Sequence, residues 1–368
     1  MGKKEKTYNI ICFGFLPWSD MWKRNQSMMA EISKCDFINR VIFVNPTISL
    51  RSIVKRKSIN SQATLGNTSK IFPVKISLKI YVYTPINIVP NRKPLTVFKK
   101  IETKIMVKII RQLNDDMPYI IFMNCPNIFP DYLLDEILKE SELSIFDFSD
   151  DFVELRYGKQ IKELFRRNIA KYARAADIVL TVNDYIKKRY EPLYSNIHVI
   201  RNATNYDNFD RKNYKTIDFL EKIKNNKNPI IGYIGTISMS RIDADLLDFL
   251  LEKRPDWQFV FIGPAHANFQ ERYLPYKNIH YISTVVYQNL PDYMRYFDVA
   301  IVPFQNNNIT RGNGLLKLRD YLAMGKPIVS TKVDDADDLR DVIQIAQDPS
   351  DFLGKIEKAL HDDNNGDV

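Results

Sequence analysis

An α/β fold of two Rossmann-like, doubly wound parallel-sheet domains facing a cleft is what this sequence predicts, on three observations. Short apolar runs bounded by turn residues alternate with stretches of helical spacing along most of the chain. A stretch rich in Asn, Lys and Asp, at 202–228, interrupts that alternation near the middle. The length, 368 residues, exceeds one ordinary core and suits two.

In the first half, runs at 8–15, 40–44, 119–123, 143–148, 178–182 and 198–200 read as buried strands, and 80–82 as a weaker one. Asn45-Pro46 stops the second of these. Helical spacing marks 22–33, 95–114, 131–139 and 159–176. The second of these helices follows Pro94 and repeats apolar residues at Ile101, Ile105, Ile109 and Leu113. The second half gives strands at 230–234, 259–262, 280–282, 299–302 and 328–330, with helices at 244–253, 291–296 and 315–324. The implied division is a first domain at 1–205, a linker at 206–228, a second domain at 229–350, and a C-terminal helix and tail at 351–368.

Composition narrows the class. An apolar content of 45% with 12% aromatics builds cores rather than disorder. Cys12, Cys35 and Cys125 have neither disulfide-framework nor zinc-site spacing, which suits a reducing compartment. The opening MGKKEKTYNIICFGFLPWSD lacks a small-residue cleavage site and reads as a first strand rather than a signal peptide. Lys6 stands where a myristoylation site wants Ser or Thr. No apolar run reaches the roughly 18–20 residues of a membrane span. The expectation is a cytoplasmic protein, peripheral at the inner face of the cell membrane.

The net charge of +9 is unevenly placed. Residues 1–212 hold 35 Lys and Arg against 22 Asp and Glu, whereas 213–368 hold 18 against 22. Residues 51–100 carry 11 basic side chains and no acidic one. Such a stretch attracts an anionic membrane surface or a polyanion, or is simply a lysine-rich solvated face. No basic motif interleaved with aromatics points to nucleic acid.

Two segments carry chemistry. Ile231-Gly232-Tyr233-Ile234-Gly235-Thr236-Ile237-Ser238 ends a strand before a helix near Asp243. Glycines there let a backbone approach a ligand, and a helix N-terminus attracts phosphate; equally, both glycines can be structural. The spacing is not the Gly-x-Gly-x-x-Gly dinucleotide fingerprint. The second segment runs from Arg311 to Thr331, where a turn with Gly312 and Gly314 opens a helix that closes at Gly325. Lys317 and Asp320, three apart on that helix, share a face. They could meet a phosphate and a ribose, or pair with each other at the surface.

The order L-K-L-x-acid-Y-L-A-x-G-K-P-I-V-S-T across 314–331 resembles the donor-domain signature of GT-B glycosyltransferases, most closely the family-four-like bacterial enzymes of surface-polysaccharide synthesis, the teichuronic-acid and xanthan-type transferases. Segments 231–238, 257–264, 278–293 and 297–304 match in the same order, as do 18–26, 144–151 and 198–209 more loosely. The family's usual Glu is Asp320 here, its earlier Glu falls on Gly312, and its Asn-Pro-Leu-Lys-Leu lacks the proline. Family members continue past the last helix, whereas this sequence stops soon after Leu360.

The resemblance implies a sugar transfer from a nucleotide-diphosphate sugar, UDP- or GDP-linked, to a lipid-linked or oligosaccharide acceptor, with no metal and no further cofactor. It places Gly235 and Thr236 on the diphosphate through backbone N–H groups, Gly314 and Leu315 among the donor-binding residues, and Arg241 and Lys317 as the cations that neutralise the diphosphate. Asp320 would hold the ribose, and Tyr287 would lie by the base or merely pack. On the acceptor side it implicates Trp22, Arg24 and Gln26. Asp147, Asp150 and Asp151 end a strand, and one of them could be a general base while another caps a helix. Asp150, Asp151 and Lys317 are thus the catalytic candidates. Retention is the expected stereochemistry, although the Asp pair and Gly312 point toward inversion. A nucleotide-sugar 2-epimerase of the same fold would carry more His, of which only four occur. The remaining alternative is a non-catalytic basic scaffold.

Overall fold

The computed structural model describes residues 6–18, 24–49, 73–87, 96–124, 131–154, 158–210 and 212–364. The chain forms two compact units, Met1–Thr181 with Lys187–Val199, and Val182–Ile186 with Ile200–Val368.

The first unit is built on strands β1 (Tyr8–Phe13), β2 (Ile38–Val44), β3 (Ile48–Ser49), β4 (Val74–Lys75), β5 (Ile80–Tyr83), β6 (Ile86–Asn87), β7 (Tyr119–Asn124), β8 (Leu143–Phe148), β9 (Ile178–Thr181) and β10 (Ile197–Val199). Eight of them form one sheet in the order β10-β9-β8-β7-β1-β2-β5-β4, and β3 pairs with β6. Every pairing in the large sheet is parallel except β4 with β5. Strands such as β2 are apolar on both faces because helices cover both faces of such a sheet. The helices are α1 (Arg24–Ile32), α2 (Thr96–Asn114), α3 (Asp131–Leu138) and α4 (Lys159–Ala175), with α5 (Asp184–Tyr190) following β9.

Part of the isoleucine repeat of α2 faces solvent. Ile101 and Ile105 face outward, 50% and 54% exposed, while Met106, Val107 and Ile110 enter the core with Glu102 and Thr103. A repeat of isoleucines four apart marks a helix face but does not say which way it points.

The second unit holds α6 (Asp218–Asn225), β11 (Ile230–Ile234), α7 (Ala244–Lys253), β12 (Gln258–Ile262), α8 (Ala267–Tyr273), β13 (Ile279–Ile282), α9 (Leu290–Met294), β14 (Val299–Val302), α10 (Asn308–Arg311), α11 (Leu316–Ala323), β15 (Ile328–Thr331), α12 (Asp334–Asp337), β16 (Gln344–Ala346) and α13 (Pro349–Asn364). Its six strands are all parallel in the order β13-β12-β11-β14-β15-β16. Trp257, Phe259, Phe261, Phe269 and Tyr273 fill its core.

The segment expected as a polar linker is folded. Phe209, Leu220 and Ile223 join the second core, the last two from α6, and Tyr214 donates from its hydroxyl to the Phe209 carbonyl. Three apolar residues among Asn, Asp and Lys suffice for one short helix to pack, and a composition reading misses them. Gly232 takes the structural one of its two readings. It lies within β11, and a Cβ there would stand about 2.1 Å from the Phe297 ring, so its bareness serves core packing rather than ligand approach.

Candidate functional site

In the second unit the strand order reverses between β11 and β14, and the loops leaving their carboxyl ends diverge. Such a switch point is where open α/β sheets bind ligands. Residues 235–241 leave β11 there, residues 303–315 leave β14, and α11 starts beside them.

Gly235 has φ +134°, and a Cβ there would stand 2.8 Å from Lys317 Nζ. The turn thus needs glycine for its conformation and for the room it leaves the lysine. Lys317 Nζ donates to the Tyr233 hydroxyl at 2.9 Å and lies 4.1 Å and 4.5 Å from the ring centres of Tyr233 and Phe304. The Tyr233 hydroxyl in turn donates to the Thr236 carbonyl at 2.9 Å. Burial pushes the Lys317 ammonium well below the ordinary lysine range, the nearby Arg241 guanidinium pushes it further, and Asp320 pulls it back. Among the described residues, no ion pair or hydrogen bond closes on the Arg241 guanidinium, and the Thr236 N–H has no protein acceptor. Two cations therefore border a bare glycine turn with no carboxylate bonded to either. That arrangement can take an anion of two or more charges.

The helix after β11 is not the anion site expected of it. The Asp243 carboxylate caps α7, accepting from the N–H groups of Asp245 and Leu246 at 3.1 and 3.2 Å, and a carboxylate there repels phosphate. The Leu315 N–H is likewise occupied, donating to Asp335 Oδ2 at 2.7 Å. Asp335 also pairs with Arg319 at 2.6 Å, both nearly buried. Leu315 thus starts α11 with its amide already taken by a carboxylate. Gly314 gives its carbonyl to Asn202 Nδ2 at 3.0 Å, and a Cβ there would crowd that amide at 2.4 Å. Gly312 caps the end of α10.

Asp320 is buried, 6% exposed, and its Oδ1 accepts from Thr204 Oγ1 at 2.5 Å and from the Tyr287 hydroxyl at 3.0 Å. Burial raises its carboxyl to about 6, against the pull of both hydroxyls, Lys317 and Arg319. Tyr287 is therefore more than packing, although its ring also meets Phe209 edge-on at 5.9 Å. Thr204 was not expected, because its segment carries no periodicity and a lone Thr has no spacing signature.

In the first unit, Trp22 lies outside the described residues, as do Cys125 and most of the basic stretch, 51–72 and 88–95. Arg24 opens α1 and grips Asp147, with Nε 3.0 Å from Oδ2 and a terminal nitrogen 3.0 Å from Oδ1. Asp147 is fully buried and also accepts from Asn124 Nδ2 at 3.0 Å, while the Cys12 thiol donates to Asn124 Oδ1 at 3.1 Å. Burial and the Asp147 charge push that thiol well up. Gln26 is buried and donates to the Pro17 carbonyl at 3.1 Å, so it fastens the loop after β1 rather than facing an acceptor.

Asp151 is 3% exposed and lies 2.9 Å from Arg189, with the Tyr190 hydroxyl 3.2 Å from Oδ1. Burial raises its carboxyl, Arg189 lowers it and Glu154 raises it again. A carboxylate enclosed in this way is poorly placed to act as a base, and the residues described after it, 152–154, form a turn rather than the helix it was expected to cap. Asp150 is half-buried at the end of the same run. Among the described residues no cluster of three His, Cys, Asp or Glu could hold a metal ion, and no helix is long and apolar enough to cross a membrane.

Residues 228–362 match the family model described as Glycosyl transferases group 1. TuaH of Bacillus subtilis (strain 168), described as a teichuronic acid biosynthesis glycosyltransferase, is 26% identical over 257 residues. That match spans 65% of this chain and 63% of TuaH, so less than two thirds of the relative's length is represented. Among solved structures, sucrose-phosphate synthase from Thermosynechococcus elongatus superposes with a TM-score of 0.64 at 12% identity, over 96% of this chain and 90% of that one. Anabaena HepE in complex with UDP and glucose gives 0.61 at 12%, over 96% and 90%. A glycosyltransferase from Rickettsia africae gives 0.62 at 15%, over 96% and 88%. The chain thus has the fold of the GT-B glycosyltransferases, and its residues 228–362 are similar to their group 1 model.

Proposed function

We propose that the protein transfers a sugar from a UDP- or GDP-linked donor to a lipid-linked or oligosaccharide acceptor in the making of a cell-surface polysaccharide. The observation that carries this reading is the pair of cations, Lys317 and Arg241, beside the Gly235–Thr236 turn. Negative charge gathers on the departing nucleotide diphosphate during transfer, and fixed cations stabilise it without reorganisation. These two side chains could do so without a metal. Asp320 would bind the ribose. The polysaccharide context comes from TuaH, and HepE is a protein of this fold in complex with UDP and glucose.

Retention suits the first unit. Asp147 and Asp151, two of the three candidate bases, are each held by an arginine. The membrane part of the reading is supported by α2, whose outer face combines Ile101 and Ile105 with exposed Lys104 and Lys108.

The test is calorimetry of the full chain with UDP-, GDP-, dTDP- and ADP-sugars, followed by assay of sugar release from whichever binds. Micromolar binding of one donor, lost in Lys317→Met, is expected. Absence of binding to all four would sink the reading. Salt-dependent affinity for RNA or DNA in its place would favour the basic scaffold.

A further inference from the structure

Three oxygens, Thr204 Oγ1, Tyr287 Oη and Asp320 Oδ1, lie in mutual contact at 2.5, 3.0 and 2.8 Å. Both hydroxyl contacts fall on the same carboxylate oxygen. Oδ2 takes no hydrogen bond among the described residues. The clamp is itself held: Tyr287 packs edge-on against the buried Phe209, and Asn208 Nδ2 donates to the Tyr287 carbonyl at 3.4 Å. A free carboxylate offers two oxygens to a vicinal diol, so the protein has withdrawn one of them.

We propose that Thr204 and Tyr287 are positioning residues that turn Asp320 so that Oδ2 alone meets the ribose, and that the site therefore reads a single ribose hydroxyl. This rests on the donor reading, in which Asp320 faces the ribose. Both hydroxyls direct their protons at Oδ1 and favour the ionised carboxylate, whereas burial favours the acid. Acid therefore competes with ribose binding, and removing either hydroxyl makes protonation easier still.

Calorimetry of the full chain with UDP and GDP identifies the nucleotide that binds; its 2′-deoxy and 3′-deoxy analogues then test the clamp. One analogue is expected to lose about tenfold in affinity and the other less than about twofold, since a hydrogen bond to a charged group is worth at least that factor. Thr204→Val and Tyr287→Phe, made separately, should weaken the parent nucleotide about three- to tenfold and move the acid limb of binding to higher pH. Thr204→Ser should keep both. Comparable losses with both analogues, or an unmoved acid limb in both variants, overturn the clamp while leaving the donor site standing. If neither nucleotide binds the wild type, the donor reading itself fails and the clamp fails with it.

Discussion

The ammonium of Lys317 lies 4.1 Å from the centre of the Tyr233 ring and donates to that tyrosine's hydroxyl at 2.9 Å. Two aromatic faces, Tyr233 and Phe304, hold this cation where a carboxylate would otherwise neutralise it. Asp320 is near enough to be felt, but its bonded oxygen belongs to Thr204 and Tyr287.

Lys317→Met should therefore separate function from stability. Nucleotide affinity should fall on the order of 100-fold, as for loss of a charge-assisted contact to phosphate. The fold should gain stability. Burial lowers the proton affinity of Lys317 in the folded state, so folding favours the neutral amine and the charge costs stability at neutral pH. Calorimetry and thermal melts at pH 7 check both signs. A variant that loses binding together with stability would make Lys317 a structural residue.

Asp320→Asn keeps the acceptor for Thr204 and Tyr287 and removes the charge. The folded carboxyl titrates at about 6, above its ordinary 3.8. Its contribution to stability is thus complete below 3.8 and is lost as pH rises through 6. From the size of that shift, the variant should gain on the order of 2–3 kcal/mol over wild type between pH 4 and pH 8. Denaturant melts of both proteins across that range measure it, and a constant difference between them would refute it.

Much of this site was legible and some was not, for physical reasons. Lys317 and Asp320 stand out because a helix period puts residues three apart on one face, and Gly235 because a turn needs it. Thr204 and Asp335 have no such mark: their partners lie at Asp320, Leu315 and Arg319, and only the folded chain brings them together. The strands read well as apolar runs because both faces of a parallel sheet are covered. Short elements did not: α5, α8, α10 and β16 are three to seven residues long, too short for a period to show. Asp147 was noticed as a carboxylate, but its enclosure by Arg24 and Asn124 depends on β7 and β8 lying side by side.

Asp147→Ala should destabilise the first unit by about 3–5 kcal/mol, because Arg24, with 10% of its side chain exposed, would lose its counterion. Leaving Asp147 with Asn124 but without its counterion should cost a similar amount in Arg24→Met, and the double variant should cost less than the sum of the two. Chemical denaturation of the three variants tests this. Additive losses would mean that each residue matters through other contacts.

The exposed face of α2 sets the last expectation. Ile101 and Ile105 stand one turn apart in the open, with Lys104 and Lys108 along the same side of the helix. Burying two isoleucines in a lipid interface releases roughly 1.5–3 kcal/mol each, and each lysine near an anionic surface adds about 1 kcal/mol. The protein should float with vesicles of phosphatidylglycerol and phosphatidylcholine but not with phosphatidylcholine alone. The double variant Ile101→Ser, Ile105→Ser should cut that binding about tenfold or more, and Lys104→Glu with Lys108→Glu should abolish its salt dependence. These positions are already in solvent, so the fold should not suffer. Wild-type flotation that ignores lipid charge, or a dimer in solution that the serine variant breaks, would assign this face to a protein partner and leave the membrane to another part of the chain.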